Sequence, residues 1–179
     1  TGSLELEWLQ DFQMHDFSFR GMSSIESAMV SGSAVLLSTK GTDTFPAIGF
    51  LERYYNAKDT FVGGSVKATE HSVMCAGGNE EDEEYNTYLR LITEVCPTGV
   101  LSIVSDTWDF WKVVTETLPR LKDDILARDG KVVIRPDSGD PVKIIVGDPE
   151  APEDSPEYKG LVVCLGEIFG ITTNDKEFK

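Results

Sequence analysis

An α/β fold of parallel strands joined by crossover helices is what this sequence predicts, on three observations. Short apolar runs of strand character alternate along the chain with segments of helical periodicity, the signature of a parallel sheet with helical crossovers. Polar or charged residues recur at the carboxyl ends of successive strands, as Arg20, Asp43, His71, Asp106, and Arg135 with Asp137. In α/β barrels that rim is where chemistry is built, and its repetition across units weighs more than any one residue. The 179 residues, 40% hydrophobic and 26% charged, suffice for one domain spanning residues 1–179 with a real core, and exclude wholesale disorder.

Each element carries its own local signal. Leu9 to Phe19 mixes apolar and polar residues at strand spacing and reads as a strand closing on Arg20-Gly21. Ser23-Ser24-Ile25-Glu26 has the pattern of a helix start, and a helix of small residues follows to about Leu37. Lys40-Gly41-Thr42-Asp43 is a short break, after which Ile48, Leu51, Tyr54 and Tyr55 fall at helical spacing. Gly63-Gly64-Ser65-Val66 leads into a short strand, and Glu70-His71-Ser72 opens the next helix. Glu80 to Glu84 is acidic throughout and precedes Tyr85, Tyr88, Leu89 and Ile92. Carboxylates in a first helical turn complement the helix dipole, so the run reads as a solvated helix start rather than a metal site. Gly99 to Val104 is apolar enough for a buried strand, ended by Ser105-Asp106. Trp108, Trp111, Val114 and Leu118 start a helix running toward Leu126, and Lys131 to Arg135 is the next strand, ending at Pro136-Asp137-Ser138-Gly139. Gly147 to Glu157 is an acidic, Pro-containing loop, and Leu161 to Phe169 is the final helix.

The charge balance narrows the partners. Sixteen Lys and Arg face 31 Asp and Glu, a net charge of -15, and such a surface is repelled by a polyphosphate backbone. Nucleic acid is therefore not expected as a partner, although a few convergent Arg and backbone N–H groups still suffice for a small anion. No apolar run reaches the length of a membrane span, and the first residues lack the basic-then-apolar plan of a signal peptide, so no membrane association is expected. Three cysteines, Cys75, Cys96 and Cys164, give neither a disulfide framework nor metal-ligand spacing, which suits a reducing cytoplasm.

Several residues invite chemistry, each beside a plainer role. In Arg135-Pro136-Asp137-Ser138-Gly139, Arg offers a planar donor fork, Asp accepts from hydroxyls, and Gly permits a tight turn near a ligand. A strand-end ion pair with a turn reads equally well. Asp43 suits a helix cap, and Arg20 suits a surface pair with Asp16 or Glu26. His71, between Glu70 and Ser72, sits where carboxylates would raise its basicity and fix its tautomer, but a structural hydrogen bond is the alternative. His15 is left in that structural role. Phe17 and Phe19 share a strand face with His15 by period-two alternation, and core packing is their default. The cysteines and tryptophans read as core or helix-packing residues.

Taken together, the strings are specific. His15-Asp16-Phe17-Ser18-Phe19-Arg20-Gly21-Met22-Ser23-Ser24 resembles a signature of the nicotinamide phosphoribosyltransferase family. Lys40 to Thr44, Ser65-Val66 through Glu70-His71-Ser72, Ser102 to Asp106, and Ile134 to Gly139 match the same family in order. The resemblance spans Leu9 to Pro141 and is expected to fade beyond it. It implies part of a TIM-like barrel, truncated at both ends, and synthesis of nicotinamide mononucleotide and pyrophosphate from nicotinamide and 5-phosphoribosyl-1-pyrophosphate. At matching positions, Phe17 would stack on the pyridine ring, Asp43 would accept from the carboxamide NH₂, and Arg135 would reach the amide oxygen. Asp137 would take the ribose hydroxyls and Arg20 the phosphates, while Ser65 lies in a matched string and is counted with the substrate-binding residues. His71 would be phosphorylated when ATP hydrolysis is coupled to synthesis, with Asp106 as its orienting carboxylate.

The resemblance further implies a homodimer with sites at the subunit interface and Mg²⁺ held through substrate phosphates rather than a protein cage. Relative to that family the chain lacks an N-terminal aromatic donor and a downstream phosphate site, so the isolated chain is expected to be inactive. Two rival functions remain. A nicotinate phosphoribosyltransferase shares the chemistry, but Asp43 would repel a pyridine carboxylate. A noncatalytic fragment would self-associate through exposed sheet edges.

Overall fold

Parallel pairing of short strands organises the chain in the computed structural model, which describes residues 9–78 and 82–173. It divides into two compact units, Thr1–Ser65 and Val66–Lys179.

In the first unit, strand β1 (His15–Asp16) pairs in parallel with β2 (Gly41–Thr42), His15 opposite Gly41 and Asp16 opposite Thr42. Between them runs helix α1 (Ile25–Leu36), and α2 (Pro46–Tyr54) follows β2. The expected helix start is correct: the Ser24 hydroxyl accepts from the Ser27 N–H at 3.1 Å. Small residues on α1 let α2 approach closely, since a Cβ at Gly32 would lie 2.8 Å from the Cβ of Ala47. Leu36, Ala47 and Leu51 form the small core beneath, with Ile48, Ala57 and Val62 packed against it.

Here the strand expected over Leu9 to Phe19 shrinks to two residues. Asp16 Oδ1 accepts from the Ser18 N–H at 2.9 Å, and Phe17 leaves the extended region at φ -109°, ψ 14°. The chain curls into a 3₁₀ turn, Ser18–Gly21, because a local carboxylate offers Ser18 a partner that competes with the sheet. Phe19 thus shares no strand face with Phe17, and both rings are exposed rather than core, at 53% for Phe17 and 39% for Phe19. The expected break at residues 40–43 is itself a strand, β2.

In the second unit, β3 (Lys67–Ala68), β4 (Thr98–Val104) and β5 (Asp129–Arg135) form a parallel sheet with β4 in the centre. Lys67 lies opposite Leu101, and the longer pairing runs from Thr98–Asp129 to Val104–Arg135. Helices α3 (His71–Ala76) and α4 (Glu83–Arg90) cross from β3 to β4. Helices α5 (Phe110–Lys112), α6 (Leu118–Arg120) and α7 (Lys122–Ala127) cross from β4 to β5, and α8 (Pro141–Val146), α9 (Pro156–Lys159) and α10 (Leu161–Phe169) follow. Parallel strands with crossover helices are the class the sequence predicts. Leu101, Ile103 and Val104 of β4 bury against Met74, Tyr88, Ile92, Val113, Leu118 and Leu121, forming the main core.

Smaller expectations shift. Trp108 precedes its helix, which starts at Phe110 because the Asp109 side chain accepts from the Lys112 N–H. Glu80 and Glu81 lie outside the described residues, while Glu83 and Glu84 do occupy the first turn of α4. The acidic loop is tied down: Lys143 Nζ reaches Asp148 at 3.1 Å and Glu150 at 3.3 Å, and its last residues form α9, capped by Ser155. Of the three cysteines, all free thiols, Cys75 is exposed rather than core. No described helix is long and apolar enough to cross a membrane.

Candidate active site

Parallel pairing brings the carboxyl ends of neighbouring strands to the same edge, so residues just past β1 and β2 emerge side by side. Phe17 follows β1 and Asp43 follows β2, with the Asp43 N–H donating to the Asp16 carbonyl at 2.9 Å. Together with Phe19 and Arg20 they line an open cavity of about 320 Å³. Three residues singled out in the sequence, Phe17, Arg20 and Asp43, are therefore together, and Phe19 joins them. Asp43 caps no helix: α2 starts after Phe45 without a side-chain cap. Its carboxylate instead meets His15, whose Nε2 lies 3.1 Å from Asp43 Oδ1. The His15 ring also rests on Phe17, centroids 4.5 Å apart. Ser65, exposed just after the Gly41–Gly64 bridge, is not among the cavity-lining residues.

Beneath this edge Asp16 is buried, 6% exposed. Burial pushes its carboxyl up, but the Ser18 hydroxyl and N–H, Thr44 and His15 outweigh that, so it lies below the ordinary carboxylate range. The Ser18 N–H bond to Oδ1 is formal, at 2.9 Å, whereas Asp16 Oδ2, Ser18 Oγ and Thr44 Oγ1 are buried without a partner of full hydrogen-bond geometry, so the two hydroxyls favour the anion by proximity.

The second unit builds a denser cluster by the same logic. His71 opens α3 just past β3, Asp106 follows β4, and Arg135 ends β5 with Asp137 beyond it. His71 Nε2 lies 3.2 Å from Asp106 Oδ1, and its Nδ1 is 3.9 Å from Asp137 Oδ2. Asp106 Oδ2 accepts from the Ser138 hydroxyl at 2.6 Å and from the Asp137 N–H at 2.9 Å. Its side chain is 7% exposed. Burial raises the Asp106 carboxyl, but the donors from Ser138, Asp137 and His71 overcome it, and the group stays ionised below the ordinary range. An anion so held fixes the histidine tautomer, with Nε2–H donating to Asp106 and the Nδ1 lone pair left free.

Arg135 spreads its guanidinium between the Asp137 carboxylate at 2.7 Å and the Thr69 carbonyl at 2.9 Å. Thr69 is buried, and its hydroxyl accepts from the Val104 N–H while its own N–H donates to the Ser102 carbonyl, so β3, β4 and Arg135 are tied through one residue. Sequence reasoning missed Thr69, Ser138 and His15 as site residues. All three stood inside motif strings, so a signal was there, but Thr69 acts largely through backbone groups that residue identity does not reveal. Among the described residues no three His, Cys, Asp or Glu side chains gather to cage a metal.

Comparison with known proteins gives this arrangement a family. Residues 12–179 match the model of the nicotinate phosphoribosyltransferase (NAPRTase) family. The chain is 55% identical over 173 residues to a nicotinamide phosphoribosyltransferase of Acinetobacter baylyi, covering 93% of this chain and 34% of that protein. Proteins of the same name from Mycoplasma pneumoniae and Xanthomonas campestris are 41% and 34% identical, each over 94% of this chain and 34% and 33% of their own length. The chain thus spans about a third of the length of the curated relatives it matches. The match continues well past Pro141, so the expected fading there is corrected and the acidic loop lies within the shared region. With its parallel strands, its crossover helices and a family match covering nearly all of its length, the chain belongs to the nicotinate phosphoribosyltransferase family.

Proposed function

We propose that the chain is the part of an enzyme that transfers the phosphoribosyl group of 5-phosphoribosyl-1-pyrophosphate to nicotinamide, giving nicotinamide mononucleotide and pyrophosphate. The observation that carries this reading is the exposed Phe17 ring beside the Asp43 carboxylate in one open cavity with Arg20. A flat aromatic face takes a pyridine by stacking, and a carboxylate accepts from a carboxamide NH₂ but repels a pyridine carboxylate. Arg20 is assigned to substrate phosphates. In the second unit, Arg135 and Asp137 are assigned to substrate oxygens, including the ribose hydroxyls.

In the reaction the pyridine nitrogen attacks C1 of the ribose as the C1–O bond to pyrophosphate breaks, through an oxocarbenium-like state. No side chain need bond to the sugar, so the residues contribute position and electrostatics. Bound Mg²⁺ would supply charge neutralisation on the departing pyrophosphate. His71 is assigned the coupling step, its free Nδ1 attacking the γ-phosphorus of ATP and releasing ADP, with Asp106 balancing the charge that develops on the ring. Completion by a second copy of the chain and a cytoplasmic setting belong to the same reading, the latter supported by three free thiols.

The test measures nicotinamide mononucleotide formation by the whole protein, with whatever flanking sequence it carries, and compares nicotinamide with nicotinate as acceptor. The expected result is a higher kcat/KM for nicotinamide and [³²P]phosphate transfer from ATP to His71, abolished in His71→Ala. Preference for nicotinate would overturn the amide assignment, and absence of both products would overturn the activity.

A further inference from the structure

We propose that His15 is a positioning residue for amide recognition, holding Asp43 and Phe17 in one fixed geometry; this rests on the reading that those two side chains take the carboxamide and the ring. The parallel register sets His15 opposite Gly41, two residues before Asp43. From there its Nε2 reaches Asp43 Oδ1 at 3.1 Å while its ring packs on Phe17 at 4.5 Å, tilted by 31°. Glycine at 41 is what admits the ring, because a Cβ there would lie 2.9 Å from His15 Nδ1. Nδ1 therefore faces backbone, and only Nε2 is turned toward the carboxylate.

A carboxylate only accepts, so Nε2 carries the hydrogen and the neutral ring is the Nε2–H tautomer. That bond occupies Oδ1 and leaves Oδ2 to accept from a ligand. Asp43 is also anchored at its backbone, where its N–H donates to the Asp16 carbonyl at 2.9 Å. With the main chain and one carboxylate oxygen both fixed, little rotational freedom remains to be lost when an amide docks. The side chains are 27% exposed for His15 and 39% for Asp43, so the acceptor is open while the residue behind it is more covered. One histidine thereby sets the separation between ring platform and amide acceptor.

The experiment replaces His15 by Phe, which keeps the contact with Phe17 but removes the donor, and by Gln, whose side-chain amide nitrogen stands in for Nε2. In the whole protein, His15→Phe is expected to raise KM for nicotinamide about tenfold, the worth of one hydrogen bond to a charged group, with kcat within about twofold. Nicotinate is expected to change less, and His15→Gln to restore most of the loss. An unchanged KM ratio in His15→Phe, or an equal fall of kcat for both substrates in both variants, would overturn the proposal. An independent readout uses the 179-residue chain without ligand: imidazole ¹⁵N shifts should show the Nε2–H tautomer at His15, lost to a mixture in Asp43→Ala. A tautomer indifferent to Asp43→Ala overturns the pair itself. If the tautomer responds but the unsubstituted protein does not turn over nicotinamide, the functional reading fails, and the amide role of His15 with it, while the pair stands.

Discussion

Asp43 and Asp106 are both carboxylates just past a strand end, yet their surroundings give them different work. Asp43 is 39% exposed and shares one oxygen with His15, so the other is available to a ligand. Asp43→Ser in the whole protein should lower kcat/KM for nicotinamide by about 1.5–3 kcal/mol, the size of a lost hydrogen bond to a charged group. Nicotinate should lose less, or gain, because the repulsion between two carboxylates goes too; the ratio of the two specificity constants is the observable, since it cancels a general loss of stability. Equal losses for both acceptors would remove Asp43 from substrate recognition. Asp106 is instead nearly covered, with Oδ2 saturated by Ser138 and the Asp137 N–H. Its carboxyl lies below the ordinary value, so its contribution to stability is complete above the usual carboxylate range and disappears as pH falls through the lowered value. Ser138→Ala removes one donor to the anion and should move the Asp106 titration upward, followed by ¹³C carboxyl shifts. The stability difference between parent and variant should be present at neutral pH and shrink on acidification, when the carboxyl is neutral in both. A difference that persists in acid would mean that Ser138 acts by packing alone.

Where elements meet, the backbone often decides what side chains can do. At the start of β4 and β5 the chains come so close that a Cβ on Gly130, at φ +145°, would lie 2.1 Å from the Gly99 carbonyl oxygen. Arg128 clasps this corner: its guanidinium donates to the carbonyls of Cys96, Thr98, Gly99 and Lys131. A planar five-donor fork can serve four acceptors at once, whereas a lysine ammonium cannot span them. Arg128→Lys should therefore destabilise the chain by about 1–3 kcal/mol, read as a lower Tm, with the charge unchanged. An unaltered Tm would show that water replaces the clasp without loss. The contrast explains what was legible in the sequence. Helix α1 was readable because Ser24 and the small residues after it encode cap and close packing locally, and β4 because the run from Val100 to Val104, apolar except for Ser102, has few other places to go. Strand β1 was misjudged because the Asp16 side chain captures the Ser18 N–H and ends the strand early, a competition that apolar patterning does not register. The strand-end carboxylates and His71 were readable as a recurring pattern, but the partners that orient them were not. His15 meets Asp43 across 28 residues of sequence, and Thr69 holds Arg135 by a carbonyl across 66.

For the molecule as a whole, net charge and open sheet edges pull in opposite directions. The order β3-β4-β5 leaves β5, among the described residues, with a strand partner on one side only. Beside it lies a cavity of about 340 Å³ lined in large part by Ile125, Leu126, Val132, Ile134, Leu165 and Phe169. An unpaired row of N–H and C=O groups next to apolar surface is a template for another strand, and a second copy of the chain supplies one. Against this, each copy carries a net charge of -15, and two such bodies repel until salt screens them. Because the screening length falls from about 30 Å at 0.01 M to about 8 Å at 0.15 M salt, association of the 179-residue chain should strengthen with ionic strength rather than weaken. Sedimentation velocity across that salt range, at several protein concentrations, reads the effect directly. Val132→Lys places a charge in the groove on β5 itself and should return the chain to monomer at all salts, while a matched change at exposed Val30 on α1 should not. A chain that stays monomeric throughout would mean that its edge is protected by its own surface. Weaker association at higher salt would mean that charge, and not the strand edge, brings the copies together.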